Sequence, residues 1–231
     1  MTKGPIAEGL EEADQLSEAG RYADALEELD RALAENPRNA AIYTARGWTL
    51  ENLGQERLPE ARKAYEEALH LDPTALWAKE GLSNVMRRLG DADEANRLAR
   101  EVVDEGTPRS ENEPDLRELV GWCHLRLGHC DDAVATLREA LNLDGRWTAV
   151  RFDLALALLC SGDRVHGALE YQRGIHQAEN WGLERLRGYV RVALDDLEEA
   201  LAERPDLAGT REAMTARRLL RSTLVAPQRT G

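Results

Sequence analysis

A single phenylalanine, Phe152, and a shortage of β-branched runs leave little from which to build a β-sheet. Lysine is almost as scarce. Lys3, Lys63 and Lys79 stand against 27 arginines, a compositional hint of a high-GC bacterial source. The net charge of −13 removes the basic footprint that neutralises phosphates, so nucleic acid is not an expected partner. A neutral or basic polypeptide suits such a surface better. No apolar run approaches the ~18 residues of a membrane helix, and Met1-Thr2-Lys3-Gly4-Pro5 lacks the apolar core of a signal peptide. The expected location is therefore cytoplasmic, without membrane contact. The cysteines are only Cys123, Cys130 and Cys160, an odd number without paired spacing, which reads as reduced thiols. Glycine-rich phosphate loops and nucleophile elbows are missing too, so neither an enzyme nor a cofactor is expected.

What the chain has in quantity is Leu, Ala, Glu and Arg, all good helix formers, in a pattern that returns. A glycine followed five residues later by a small residue occurs at Gly20/Ala25, Gly90/Ala95, Gly128/Ala133 and Gly162/Gly167, and in stretched form at Gly54/Ala61. The intervals between these glycines are 34, 36, 38 and 34, and a period near 34 marks a repeat architecture. With the marker glycine set at position 15, the copies are 6–39, 40–75, 76–109, 114–147 and 148–181. Position 8 carries Ala13, Gly47, Ser83, Gly121 and Ala155. Positions 20 and 27 are small in every copy but one, the exception being Val102. Small residues recurring there place two helices of a hairpin in close contact. Larger residues flank them, among them Leu29, Tyr65, Leu137 and Tyr171 at position 24, and Pro37 and Pro73 follow the second helices.

This pattern resembles the tetratricopeptide repeat family. The stretches Ala25–Pro37 and Ala61–Pro73 are close to a consensus second helix of that family. The resemblance covers residues 6–178 and implies an all-α fold, a right-handed α-solenoid of antiparallel helical hairpins. Gln55 to Leu58 lengthen the turn of the second copy, with Pro59 opening its second helix. Residues 106–113 read as an exposed loop. Beyond the fifth copy, Gly188, Ala193, Leu197, Ala200 and Pro205 repeat the pattern, but Gly188 follows Gly162 by only 26 residues. The missing eight residues, about two helical turns, predict one long helix over 182–203. A capping helix over 207–224 would then complete a divergent end, with a disordered tail over 225–231.

In this family the first helices line a concave groove, and positions 2, 5, 9, 12 and 13 form its stripe. Carried onto this sequence, the implied peptide-binding residues are Trp48, Asn52, Trp77, Asn84, Arg87, Arg88, Trp122, Arg126 and Phe152. The tryptophans either meet a ligand or pack between neighbouring first helices. The arginines either meet a partner carboxylate or pair with Glu80 and Glu118. The two-carboxylate clamp of chaperone-tail-binding members is not expected, because no copy has a basic residue at position 5. Cys123, His124, His129 and Cys130 invite a metal reading. However, the adjacent Cys123 and His124 point about 100° apart on a helix, and position 17, where Cys130 falls, is an apolar packing site in this family, so no metal is expected. The implied function is a non-catalytic adaptor holding a peptide or helix of a partner protein. The competing reading is a self-associating protein, such as a homodimer, whose groove is filled by its own C-terminal helix or by a second copy.

Overall fold

The structure, a computed structural model, describes residues 5–111, 113–145 and 147–225. Among these residues there are thirteen α-helices, three short 3-10 turns and no strand. The fold is all-α, built from the helical hairpins of an α-solenoid. The chain divides into two compact units, residues 1–106 and 107–231.

The first unit holds α1 (Pro5–Glu18), α2 (Tyr22–Glu35), α3 (Ala40–Leu53), α4 (Leu58–Leu71), α5 (Leu76–Arg88) and α6 (Ala92–Gly106). Consecutive helices pair as α1/α2, α3/α4 and α5/α6, and α2 also packs on α3 and α4 on α5. Local chemistry starts and stops them. Asn39 caps α3, its side-chain oxygen accepting from the backbone N–H groups of Ala41 (2.9 Å) and Ile42 (3.2 Å). Gly90 ends the α5 segment at φ +91°, donating its own N–H to the Arg87 carbonyl, while Asp91 N–H reaches back to Met86. This paired closure satisfies the orphan carbonyls of a helix end and needs a left-handed residue. The five marker glycines of the repeat all take positive φ. At Gly20, Gly90 and Gly128 the recurrence in sequence is the recurrence of this one helix stop. Gln55–Arg57 form a 3-10 turn in the lengthened connection, and Pro59 lies in the first turn of α4.

The second unit holds α7 (Pro114–Arg126), α8 (Cys130–Leu143), α9 (Thr148–Ser161), α10 (Arg164–Ala178), α11 (Leu183–Glu203), α12 (Pro205–Ala208) and α13 (Arg211–Val225). Pairs α7/α8 and α9/α10 are hairpins of the same kind. The predicted long helix is α11, with Gly188 inside it. The predicted helix over 207–224 is divided. Pro205 opens the short α12, and Thr210 then caps α13 by accepting from the Ala213 N–H at 3.3 Å. A threonine placed after Gly209 competes with helix continuation, which is why the segment breaks there. Residues 226–231 of the expected tail lie outside the described residues. In the predicted 106–113 loop, residues 107–109, 111 and 113 are exposed, but Ser110 is tied in. Ser110 is buried, its hydroxyl donates to the Thr107 carbonyl at 3.0 Å, and Arg117 donates to the Ser110 carbonyl at 3.1 Å.

In each unit the core lies between helices. In the first, Leu50, Leu58, Tyr65, Leu82, Val85 and Leu98 gather with the small Ala61, Ala68, Ala78 and Ala95. In the second, Phe152, Leu156, Leu159, Tyr171 and Ile175 continue into Leu186, Val190, Leu197, Leu201, Leu207 and Leu220. The long α11 and the terminal α13 therefore cover apolar surface that α9 and α10 would otherwise leave to water.

Candidate functional site

In the first unit the candidate residues come from α3 and α5, two first helices that touch each other. Trp48 on α3 is 42% exposed and Trp77 at the start of α5 is 44% exposed. Both keep much of a large apolar ring in water, which is where an interaction surface gains most on being covered. The ring of Trp48 meets that of Tyr22 edge-on, with centroids 5.9 Å apart. Asn52 is half-buried, one turn beyond Trp48, and donates its amide to the Trp48 carbonyl at 2.9 Å. Asn84 on α5 is also half-buried and donates its amide to Glu80.

The two arginines that follow Asn84 point to different partners. Arg87 reaches the second helix of its own hairpin and donates to Asn96 at 2.8 Å. Arg88 reaches α3, donating to the Glu51 carbonyl at 3.3 Å and to its carboxylate at 3.4 Å. The same carboxylate accepts from the Tyr65 hydroxyl at 3.4 Å. Burial, with Glu51 adding negative charge, holds the Tyr65 phenol well above its usual range.

The second unit treats its candidates differently. Trp122 on α7 is half-buried against the core that includes α11 and α13, and the Arg126 guanidinium lies 5.3 Å from its ring centroid. Arg126 pairs with Glu199 of α11 at 2.8 Å. Neither of the glutamates considered in the sequence, Glu80 or Glu118, is that partner. Phe152 is 4% exposed and stacks beside Tyr171 at 6.1 Å between centroids, over Gly174. The stripe rule put Phe152 in the groove, but α11 and its neighbours bury it, and it is a core residue. Glu118 lies on the same helix as Trp122. Burial pushes its carboxyl up to about 7, with nearby Asp115 adding like charge.

The four-residue set weighed as a metal site separates. Cys123 is buried in α7, and the Cys130 sulfur turns towards Arg204. His124 and His129 instead meet Asp132, and one ligand atom from each lies within 4.8 Å of the others. Burial holds the His124 imidazole below its usual range, with Asp132 acting against that shift. Neutral imidazole nitrogens and a carboxylate suit a borderline transition metal such as zinc, though two of the three side chains are exposed.

A family model described as tetratricopeptide repeat matches residues 10–76, 50–111 and 81–150. Among curated proteins, a repeat-containing thioredoxin, TTL4, of Arabidopsis thaliana is 40% identical over 78 residues, covering 34% of this chain and 11% of that protein. Superkiller protein 3 of Schizosaccharomyces pombe is 24% identical over 188 residues, 75% of this chain and 13% of that protein. The chain thus spans little more than a tenth of the length of these relatives. Among solved structures, a thermophilic repeat protein of Thermus thermophilus superposes with a TM-score of 0.61 at 23% identity, covering 82% of this chain and 98% of that one. PilF of Pseudomonas aeruginosa does so with a TM-score of 0.51 at 15% identity, covering 91% and 95%. At these identities the likeness bears on the fold.

Proposed function

The chain belongs to the tetratricopeptide repeat family, whose members are generally non-catalytic protein-interaction scaffolds, and from that premise we propose that its first unit holds a peptide or helix of a partner protein against α3 and α5. The observation that carries this reading is the exposure of Trp48 and Trp77, two large rings on adjacent first helices. Asn52 and Asn84 flank them with amides able to meet a peptide backbone. The first unit has 13 basic against 23 acidic side chains, a net charge of −10 out of the chain's −13. A neutral or basic partner segment is therefore the chemistry that approaches it most readily.

In the second unit the favoured occupant of the first-helix face is the chain's own α11. Arg126 pairs with Glu199, and Trp122 packs on the same core as α11. The middle of the chain then divides by role, the first unit receiving the partner and the second carrying its own C-terminal helices.

The test is affinity capture from native lysate, comparing the wild-type protein with a Trp48→Ala/Trp77→Ala variant. Trp181 is 49% exposed in the second unit, so Trp181→Ala serves as the control for a nonspecific loss of surface tryptophan. The expected result is that partners captured by wild type and by Trp181→Ala are lost from the double variant, while helical circular dichroism stays unchanged. Equal capture by all three proteins would remove this face from consideration.

A further inference from the structure

The helix stop shared by Gly20, Gly90 and Gly128 brings unusual side chains together at Gly128. This glycine takes φ +79°, and the His129 N–H donates to the His124 carbonyl at 2.9 Å. The bond ties position 16 of the repeat to position 11, as Arg21 is tied to Leu16 and Asp91 to Met86. Position 11 is an apolar packing site in the other copies. Leu50, Met86 and Leu158 are buried there, and Leu16 is partly buried. In the fourth copy the residue is His124. Packing alone does not account for an imidazole at that position. Its Nδ1 is buried, with no hydrogen-bond partner among the described residues.

Two further metal-ligand types stand beside it. The His129 ring centroid lies 6.0 Å from that of His124, and Asp132 lies in the first turn of α8. Ligand atoms of all three side chains fall within 4.8 Å of one another, the one such group of three among the described residues. Positions 16 and 19 also meet in the first and fifth copies, as Arg21 with Asp24 at 2.6 Å and Asp163 with His166 at 2.7 Å. The fourth copy adds a histidine at position 11 to that pair.

We propose that His124, His129 and Asp132 bind a zinc ion at the turn between α7 and α8, leaving the fourth coordination position to water.

The donor set fits this metal. Imidazole nitrogens with a carboxylate suit zinc, whereas magnesium and calcium prefer oxygen ligands throughout. Three protein ligands and one water make an open tetrahedral zinc site. Ligand atoms about 2.0–2.2 Å from a tetrahedral zinc lie about 3.3–3.6 Å from each other. A spread of up to 4.8 Å closes by rotation of His129 and Asp132, both exposed, towards the half-buried His124. Bound zinc would join the last turn of α7 to the first turn of α8. It would thereby hold the end of the helix from which Trp122 packs on the α11 core and Arg126 pairs with Glu199. The site lies in the second unit and is independent of the Trp48 and Trp77 face.

The experiment dialyses the full-length, reduced protein, free of any histidine tag, against zinc chloride with excess magnesium present, and counts the bound metal. The expected result is one zinc per chain and a urea midpoint that rises with zinc concentration. His124→Leu restores the residue type of the other copies and should keep the fold. It should weaken zinc binding by more than the about 10–100-fold that loss of an outer-shell partner costs, and its urea midpoint should not respond to zinc. Asp132→Asn, an exposed substitution, should also weaken binding without disturbing the core. His166→Gln, which removes a histidine paired with a single carboxylate, and Cys130→Ser should bind zinc as the wild type does. Cobalt in place of zinc should give a tetrahedral visible spectrum without a thiolate charge-transfer band. No saturable binding at one ion per chain, unchanged binding by His124→Leu, a thiolate band with cobalt, or loss of binding in Cys130→Ser would overturn the proposal.

Discussion

Tyr65 of α4 rests directly on the backbone of Gly81 in α5: a Cβ added at Gly81 would lie 2.2 Å from the tyrosine Cζ. The same ring also covers Gly47 of α3, where an added Cβ would lie 2.7 Å away. One aromatic side chain thus sets the spacing of three helices, and the two glycines make room for it.

Gly81→Ala should therefore destabilise the protein, even though alanine is the better helix former by up to about 1 kcal/mol. The clash is with a buried ring that has no empty space to enter, and overpacking of this kind costs about 1–3 kcal/mol. Urea unfolding at constant slope would show the loss as a lower midpoint. Adding Tyr65→Leu to Gly81→Ala should recover part of it, because the smaller side chain gives back the space.

Glu118 makes stability fall with pH. Its folded carboxyl titrates at about 7, above its unfolded value, so between roughly pH 4.3 and pH 7 the folded state binds more protons than the unfolded state. Its favourable contribution is fully present below the unfolded value and is lost as pH rises through the folded one. Denaturation midpoints at pH 5 and pH 8 should differ in that direction, and Glu118→Gln should flatten the difference. An unchanged difference in the variant would assign the slope to other groups.

Arg151 and Glu170 form a shielded pair at 2.6 Å, with Glu170 only 8% exposed and also bound to Arg173 at 2.6 Å. Glu170→Ala leaves the Arg151 guanidinium without its main counter-charge and should cost about 3 kcal/mol. Replacing both with apolar residues of similar volume, Arg151→Met with Glu170→Leu, should cost much less. Thermal unfolding of the single and double variants measures both effects.

Arg126 and Glu199 bring α7 and α11 together across 73 residues of chain. A double-mutant cycle with Arg126→Ala and Glu199→Ala should give a coupling of about 1–2 kcal/mol, above that of an exposed pair, because Arg126 is largely shielded. The fluorescence of Trp122 should shift to the red in Arg126→Ala as the ring loses its cover.

The hairpin repeats were legible in the chain because their signals are local. A small residue at a fixed helical spacing, a glycine at a helix stop and a proline after it each act within a few residues of themselves. Even the shortened interval from Gly162 to Gly188 translated directly into the long α11. The candidate site was legible only where no later helix intervened. Trp48 and Trp77 stand exposed, whereas Phe152 is buried, Arg126 is paired with Glu199, and Arg87 turns to Asn96. Gly81 was visible in the sequence, but nothing near it revealed that Tyr65, sixteen residues earlier, needed the space.

What the sequence determined by itself is the all-α hairpin repeat, since 3.6-residue periodicity and turn chemistry are properties of short stretches. What only the tertiary structure decided is which surfaces remain open and which distant groups meet. That depends on where α11 lies, and packing between helices far apart in sequence is set by shape and burial over whole faces. Cys130, Cys160 and Arg204 carry no shared motif, yet they become neighbours because three helix ends arrive at one place.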